Sequence, residues 1–431
     1  MRIVLKNFRI VDENTDITGS VIINDGIISE PGENENNAAM IIDGLSLSSS
    51  GCLPVLMPAF VDLHAHFRDP CLFENNTVPG QETPFPSELI ESASLAAAAG
   101  GFGTVVCMAN TRPPIDTIKK AAAIKNRCDT LGLIDLYPVM SLTEGMEGKK
   151  LSEITGIAPD GGGYIPLMLS EDGRDLENDN LFLSAMKEAK RTGIPVSCHC
   201  DFGGDENSAI RRVIELGKKA GCHIHIAHVS AKEAIETIRE SKAAIKAVSD
   251  TDGFTLTCEA MPHNLCLAEE DAKKLGEKTW GAVNPPLRTE QDRQALIKAL
   301  LDGTIDVIAT DHAPHSAADK EAGAPGFSGF ETAFASLYTE LVRGGSLGLK
   351  QLSSLMSGKP AELLGFGGSH KKRGRILPGY RADLVIIDTE TPWTVDVSSF
   401  KSRGKNSPFT GRQLYGKILM TLHSGRVVFE R

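Results

Sequence analysis

No uninterrupted apolar run in the 431-residue chain approaches the roughly 20 residues that a membrane-spanning helix requires. Met1 to Phe8 mixes apolar residues with Arg2 and Lys6 and leads into Asp12 and Asn14, which is not the pattern expected of a secretory leader. Paired cysteine spacings of the zinc-ribbon kind are absent too. The nine cysteines are an odd number scattered through apolar runs such as Val105-Val106-Cys107-Met108. Reduced core thiols and a cytoplasmic protein are the expectation. Basic charge is in deficit, with 45 lysines and arginines against 56 acidic residues and a net charge of −11, which disfavours nucleic acid or an anionic membrane as partner. Tandem repeats and low-complexity tracts are lacking as well.

What is present suits a folded protein: 41% hydrophobic and 23% charged residues exclude disorder as the dominant state. The length allows two or three domains, or one barrel of about 250 residues with an accessory module. Short β-rich pieces, Ile3-Val4-Leu5 and Ser20-Val21-Ile22-Ile23, are separated by turn residues near the start and read as a small antiparallel sheet. Ala382 to Asp388 and two runs around Ser424-Gly425 repeat that pattern near the end. The two terminal segments are expected to pair into one accessory domain.

Between them apolar strand patterns alternate with helical stretches. Val105 to Met108 precedes Ile115 to Arg127, Val196 to Cys198 precedes Ser208 to Ala220, and Ile224 to Ala227 precedes Lys232 to Ser241. Such alternation predicts βα units and a parallel sheet. Polar residues recur at the C-terminal ends of the strands, where (β/α)8 barrels place their active sites. The expected class is therefore α/β, a TIM-like (β/α)8 barrel with a small β-sandwich domain formed by both termini. The boundaries are 1–55 and 366–431 for the β module and 56–365 for the barrel.

Asp62-Leu63-His64-Ala65-His66 directly follows an apolar run. On a strand, residues two apart point to one face, so His64 and His66 can share a metal ion. A pair of hydrogen-bonded core histidines is the competing reading. Three further strand patterns end in His199, in His225-Ile226-Ala227-His228 and in Asp311-His312. Neutral imidazole with carboxylate suits zinc or a similar divalent ion.

With these residues in view, the sequence resembles the dihydroorotases of the amidohydrolase superfamily. The likeness runs through Asp62 to Pro70, Met108 to Pro113, Ser170-Glu171-Asp172-Gly173, His225 to Ser230, Asn284-Pro285-Pro286-Leu287-Arg288, Asp311-His312-Ala313-Pro314-His315 and Asn406 to Gly411. It implies two zinc ions, the first held by His64, His66 and Asp311 and the second by His199 and His228. Many relatives bridge the ions with a carboxylated lysine, but Gly161 to Gly173 contains no lysine. The resemblance puts Asp172 in that place, with a helix-capping carboxylate as the alternative.

The same resemblance implies that Asp311 is both ligand and catalytic base, and that carbamoyl aspartate and dihydroorotate are interconverted in pyrimidine biosynthesis. Arg68, two residues beyond His66 and so expected on the same strand face, would pair with the substrate carboxylate, unless it only pairs with Asp69. Asn110 and His315 match the other carboxylate contacts, against readings as a turn and a loop residue. Asn284 matches a contact to the ring. Ser316 to Ser328 is expected to form a loop over the site, mobile or plain. His223 and Glu259 are readable as orienting residues or as ordinary buried ones, and His263 is not assigned to metal.

Several positions depart from the family pattern. Cys71 stands where the family has Gly and opens an irregular stretch to Pro86, of which the part to Gly80 looks like an insertion; Ala109 replaces a proline, and Asp201 replaces a glutamate. Alternatives are another cyclic amidohydrolase (hydantoinase, dihydropyrimidinase or allantoinase) and a silent scaffold subunit for aspartate transcarbamoylase. A homodimer, with transcarbamoylase as a further partner, completes the expectation.

Overall fold

Eight short strands carry the site. In the computed structural model they are β1 (Phe60–Ala65), β2 (Phe102–Cys107), β3 (Asp135–Pro138), β4 (Leu169–Ser170), β5 (Val196–Cys198), β6 (His223–Ile226), β7 (Thr255–Ala260) and β8 (Val307–Ile308). The structure describes all residues except 31, 33–37, 49–50, 70–87, 159–162, 202–203, 249–250 and 369–371. The insertion-like stretch after Pro70 lies outside the described residues.

β1 to β3 form one parallel sheet and β4 to β8 another. Two isolated parallel bridges join their edges, Met140 to Leu169 and Ala65 to His312. The Ser170 N–H donates to the Met140 carbonyl at 3.1 Å and the His66 N–H to the His312 carbonyl at 2.8 Å. These bridges bring the two sheets edge to edge, an arrangement that fits a (β/α)8 barrel. Every residue of β1 and β2 is buried, as strands covered on both faces require.

The intervening helices sit where the alternation predicts, but local capping sets their starts. Thr117 accepts from the Lys120 N–H, so that helix spans Ile118–Leu131 instead of starting at Ile115. Asp205 accepts from the Ser208 N–H and starts Glu206–Ala220 two residues earlier than expected.

The termini build one mixed sheet in the order Arg426–Glu430, Lys417–His423, Leu384–Asp388, Val55–Pro58, Arg2–Val11, Asp16–Asn24, Ile27–Ile28, with Met40–Asp43 also paired to Arg2–Val11. Arg2–Val11 runs parallel to both Met40–Asp43 and Val55–Pro58, so the sheet is not purely antiparallel as the hairpin signals suggested. Its own small core includes Phe8, Leu56, Ile386 and Leu422.

From this module the chain returns to the mouth of the barrel. There Glu331, in the helix Phe330–Leu337, accepts from the N–H groups of Lys401 at 2.6 Å and Ser402 at 3.1 Å.

Candidate active site

His64 lies on β1 and His66 just past its end. The two rings face the same side, their centroids 5.3 Å apart. His64 is completely buried, and its Nδ1 lies 2.7 Å from Glu259 Oε1. An ionised carboxylate only accepts, so Nδ1 carries a proton and Nε2 is the nitrogen turned towards the cluster. His66 behaves alike: Nδ1 donates to Asn110 Oδ1 at 2.9 Å, while Nε2 stands 3.0 Å from Asp311 Oδ1.

Asp172, after β4, faces these nitrogens. Its oxygens lie 3.4 Å from His64 Nε2, 3.5 Å from His66 Nε2, and 3.7 Å from both His199 Nδ1 and His228 Nε2. His199 Nδ1 and His228 Nε2 are 2.8 Å apart. Two clusters with metal-ligand spacing result, His64 with His66 and Asp172, and Asp172 with His199 and His228. The carboxylate common to both is Asp172. Its neighbour Glu171 turns away and accepts from the N–H groups of Leu142 and Thr143.

The donor set fits divalent cations. Asp172 Oδ1 and His64 Nε2 are buried with no hydrogen-bond partner, an imidazole nitrogen facing a carboxylate oxygen at 3.4 Å. Burial pushes Asp172 and Asp311 up, but the surrounding histidines outweigh it and hold both carboxyls below the ordinary range. Burial pushes His64 down, yet Asp172 and Glu259 raise it well above its usual value. The cluster demands positive charge, which bound metal supplies. Two of its members, His228 and Asp311, also hold left-handed backbone at φ 35° and 46°, a strain that accumulates at functional sites.

Around the cluster runs a hydrogen-bonded chain. Glu259 is fully buried on β7 and takes protons from His64 Nδ1, from His225 Nε2 at 3.1 Å and from the His228 N–H at 3.3 Å. Burial raises its carboxyl, but His64 and His225 bring it down to about 2. Thr257 Oγ1 lies 2.8 Å from both His223 Nε2 and His225 Nδ1. A hydroxyl donates once, so His223 donates to Thr257, Thr257 to His225, and His225 to Glu259. The orienting reading of Glu259 therefore replaces ordinary burial; the signal was an acidic residue inside an apolar strand. Asp62 makes a parallel tie, accepting from the Thr310 N–H at 2.8 Å next to Asp311.

The remaining expected residues lie on the rim. β1 ends at Ala65, and Arg68 has φ 54°, so strand alternation does not carry it to the His66 face. A left-handed turn does so instead, placing Nη2 3.4 Å from His315 Nε2. Arg68 is not paired with Asp69, which lies 3.1 Å from Arg127. Among the described residues no carboxylate lies within ion-pair distance of Arg68, and its Nε has no partner. Burial lowers its pKa, opposed by Asp311 and Asp172.

Asn110 reaches the metal cluster itself, donating to Asp172 Oδ2 at 3.3 Å. Asn284 donates to Asp201 Oδ2 at 3.3 Å. His315 lies against Pro325, and burial with Arg68 lowers its pKa to about 4. His312 leaves the cluster and stacks on Phe330. Ser316 to Ser328 contains a short helix, Ala317–Glu321, tied down by the buried Lys320, whose Nζ donates to the carbonyls of Ala282, Ala324 and Gly326.

Parallel strands in a barrel-like order, with histidines and aspartates converging beyond their C-terminal ends, define a class of hydrolases. The chain matches the amidohydrolase family over residues 55–428 and belongs to it. It is 36% identical to a dihydroorotase of Clostridium botulinum over the whole of both chains. It is 33% identical to one of a Thermoanaerobacter species, covering 100% of this chain and 98% of that one. Among solved structures, an L-hydantoinase (dihydropyrimidinase) from Arthrobacter aurescens superposes with a TM-score of 0.80 at 25% identity, covering 99% of this chain and 96% of that one.

Proposed function

We propose that the protein is a dihydroorotase, closing carbamoyl aspartate to dihydroorotate and reopening that ring with two zinc ions. The observation that supports this reading is Arg68 at the edge of the His/Asp cluster, half-buried, with an Nε that is buried without a hydrogen-bond partner and no carboxylate within ion-pair distance among the described residues. A guanidinium partly withdrawn from water favours an anionic partner, and a substrate carboxylate supplies one with bidentate geometry. Hydantoin and dihydrouracil carry no such group.

The ions would be held by His64, His66 and Asp311 on one side and by His199 and His228 on the other, with Asp172 between them. Such ions would supply Lewis acidity, lowering the pKa of a bound water from about 16 towards 7 and polarising a carbonyl. Asp311, kept ionised by its histidine neighbours, accepts the proton of the attacking water and returns it to the leaving ring nitrogen. The reverse sequence cyclises carbamoyl aspartate. Arg68 and His315 bind the carboxylate, and Asn284 orients the ring. Asn110 holds the His66 proton on Nδ1, so it serves the metal cluster at least as much as the substrate.

The test is loss of the ring's ultraviolet absorbance on dihydroorotate, with chelator-treated protein before and after zinc is restored. Zinc-restored turnover of dihydroorotate alone is expected. Turnover of dihydrouracil or hydantoin would favour a hydantoinase pocket. Silence on all three would favour the scaffold reading, with aspartate transcarbamoylase as the partner to add.

A further inference from the structure

Between Gly404 and Ser407 the chain, returning from the C-terminal module, enters the rim beside Arg68. Asn406 is 2% exposed, and every polar atom of its side chain is used. Oδ1 accepts from the His315 N–H at 3.1 Å and from Ser328 Oγ at 2.8 Å. Nδ2 donates to the carbonyls of Ala313 at 3.2 Å and Gly326 at 3.0 Å. The Asn406 carbonyl accepts from the Ser328 N–H at 3.1 Å. One amide thus ties the Ala313-Pro314-His315 turn to the Pro325 to Ser328 turn. Only a carboxamide offers two donors and two acceptor lone pairs in so short a side chain.

The fit around this amide leaves no slack. A Cβ on Gly326, whose φ is 139°, would lie 2.6 Å from Ala313 Cβ and 3.2 Å from His315 Nε2. On Gly404 it would lie 2.5 Å from Pro314 Cβ. Ser328 Oγ lies 2.8 Å from the Gly404 carbonyl as well as from Asn406 Oδ1, so its single proton is shared between two acceptors of the segment that carries Asn406. His315 Nε2 crosses between the two turns to the Pro325 carbonyl at 2.9 Å. His315 therefore has its backbone and its ring fixed by the same pair of turns, and its ring stands beside Arg68.

We propose that Asn406 is a positioning residue for recognition of the substrate's carboxylate: by locking these two turns together it places His315 against Arg68 and so sets the affinity for an anionic ring substrate. It touches neither metal site nor reacting atoms, and its effect passes through His315. The proposal rests on the reading of Arg68 and His315 as the carboxylate contacts.

The experiment compares the zinc-loaded wild-type protein with Asn406→Asp and Ser328→Ala, measuring KM and kcat for dihydroorotate together with amide hydrogen exchange at His315. Asn406→Asp keeps the acceptors but turns an oxygen towards the Ala313 and Gly326 carbonyls. It is expected to raise KM about tenfold or more while kcat falls less than about threefold, because displaced binding groups cost more than their own contacts. Ser328→Ala removes one hydroxyl and should shift KM in the same direction by about threefold. Exchange at the His315 amide should accelerate in Asn406→Asp.

An unchanged KM in folded Asn406→Asp, or equal losses in kcat with KM constant, overturns the proposal. Should Asn406→Asp fail to fold, Ser328→Ala decides by the same KM criterion. Should the wild-type protein not turn over dihydroorotate, the proposed function fails separately. The His315 amide then decides on the lock: faster exchange in Asn406→Asp upholds it, and unchanged exchange overturns it.

Discussion

Asp311 and Arg68 divide the work at the level of single side chains. Replacing Asp311 by Asn keeps the size and removes the base, so turnover should fall by at least about 10²- to 10⁴-fold. The circular dichroism melt should stay within a few degrees; wild-type rates in Asp311→Asn would sink the mechanism. Arg68→Met keeps the buried stem without the charge. It should raise the KM for dihydroorotate by about 10²-fold, the scale of a lost charged contact, with a smaller change in kcat. Steady-state kinetics on both variants check the two expectations. His64 and His66 were legible in the sequence because strand period alone puts them on one face. Arg68 was legible as a residue but not by its route, since the left-handed turn after Phe67 has no glycine to announce it.

Strands and loops explain why other members of the site were hard to see. Glu259 occupies an interior position of β7, where periodicity marks it only as buried; its role comes from β1 and β6 converging on it from distant sequence. Replacing it by Gln would leave His64 Nδ1 with an uncertain donor or acceptor and disturb the ring that faces Asp172. Loss of such an outer partner should weaken metal binding by about 10- to 100-fold, measurable by competition with a chromophoric chelator. Metal retention equal to wild type would remove Glu259 from the site. The helices were visible as alternation, whereas their first residues depended on Thr117 and Asp205, whose capping contacts compete with several equally polar neighbours. The bridges between the two sheets, Met140 to Leu169 and Ala65 to His312, involve single residue pairs that leave no pattern at all.

At the scale of the whole molecule, the segment around Lys401 and Ser402 is tied to the barrel, and Glu331 reports on that attachment. Burial raises its carboxyl from 4.5 to about 7, with the Lys401 and Ser402 N–H groups opposing. Between those values the folded protein binds more protons than the unfolded chain, so this group's contribution is complete below about 4.5 and lost as the pH rises through about 7. The shift corresponds to about 3 kcal/mol. Glu331→Gln keeps the acceptor for both N–H groups and removes the titration. Its melting temperature should therefore match that of the wild type near pH 5 and exceed it by a few degrees at pH 8. A constant gap across that range would contradict the assignment. Composition and alternation made the α/β barrel with a terminal β module readable. The mixed order of the terminal sheet was not, because parallel pairing of Arg2–Val11 joins segments with no turn between them.

The shared position of Asp172 has a consequence for how the centre is assembled. A carboxylated lysine needs carbon dioxide as a third reagent, so its metal uptake depends on dissolved bicarbonate. Here the carboxylate common to both clusters is encoded in the chain. Metal-stripped protein should regain activity with zinc alone, at the same rate in degassed buffer as in bicarbonate, and cellular carbon dioxide would then exert no control over its maturation.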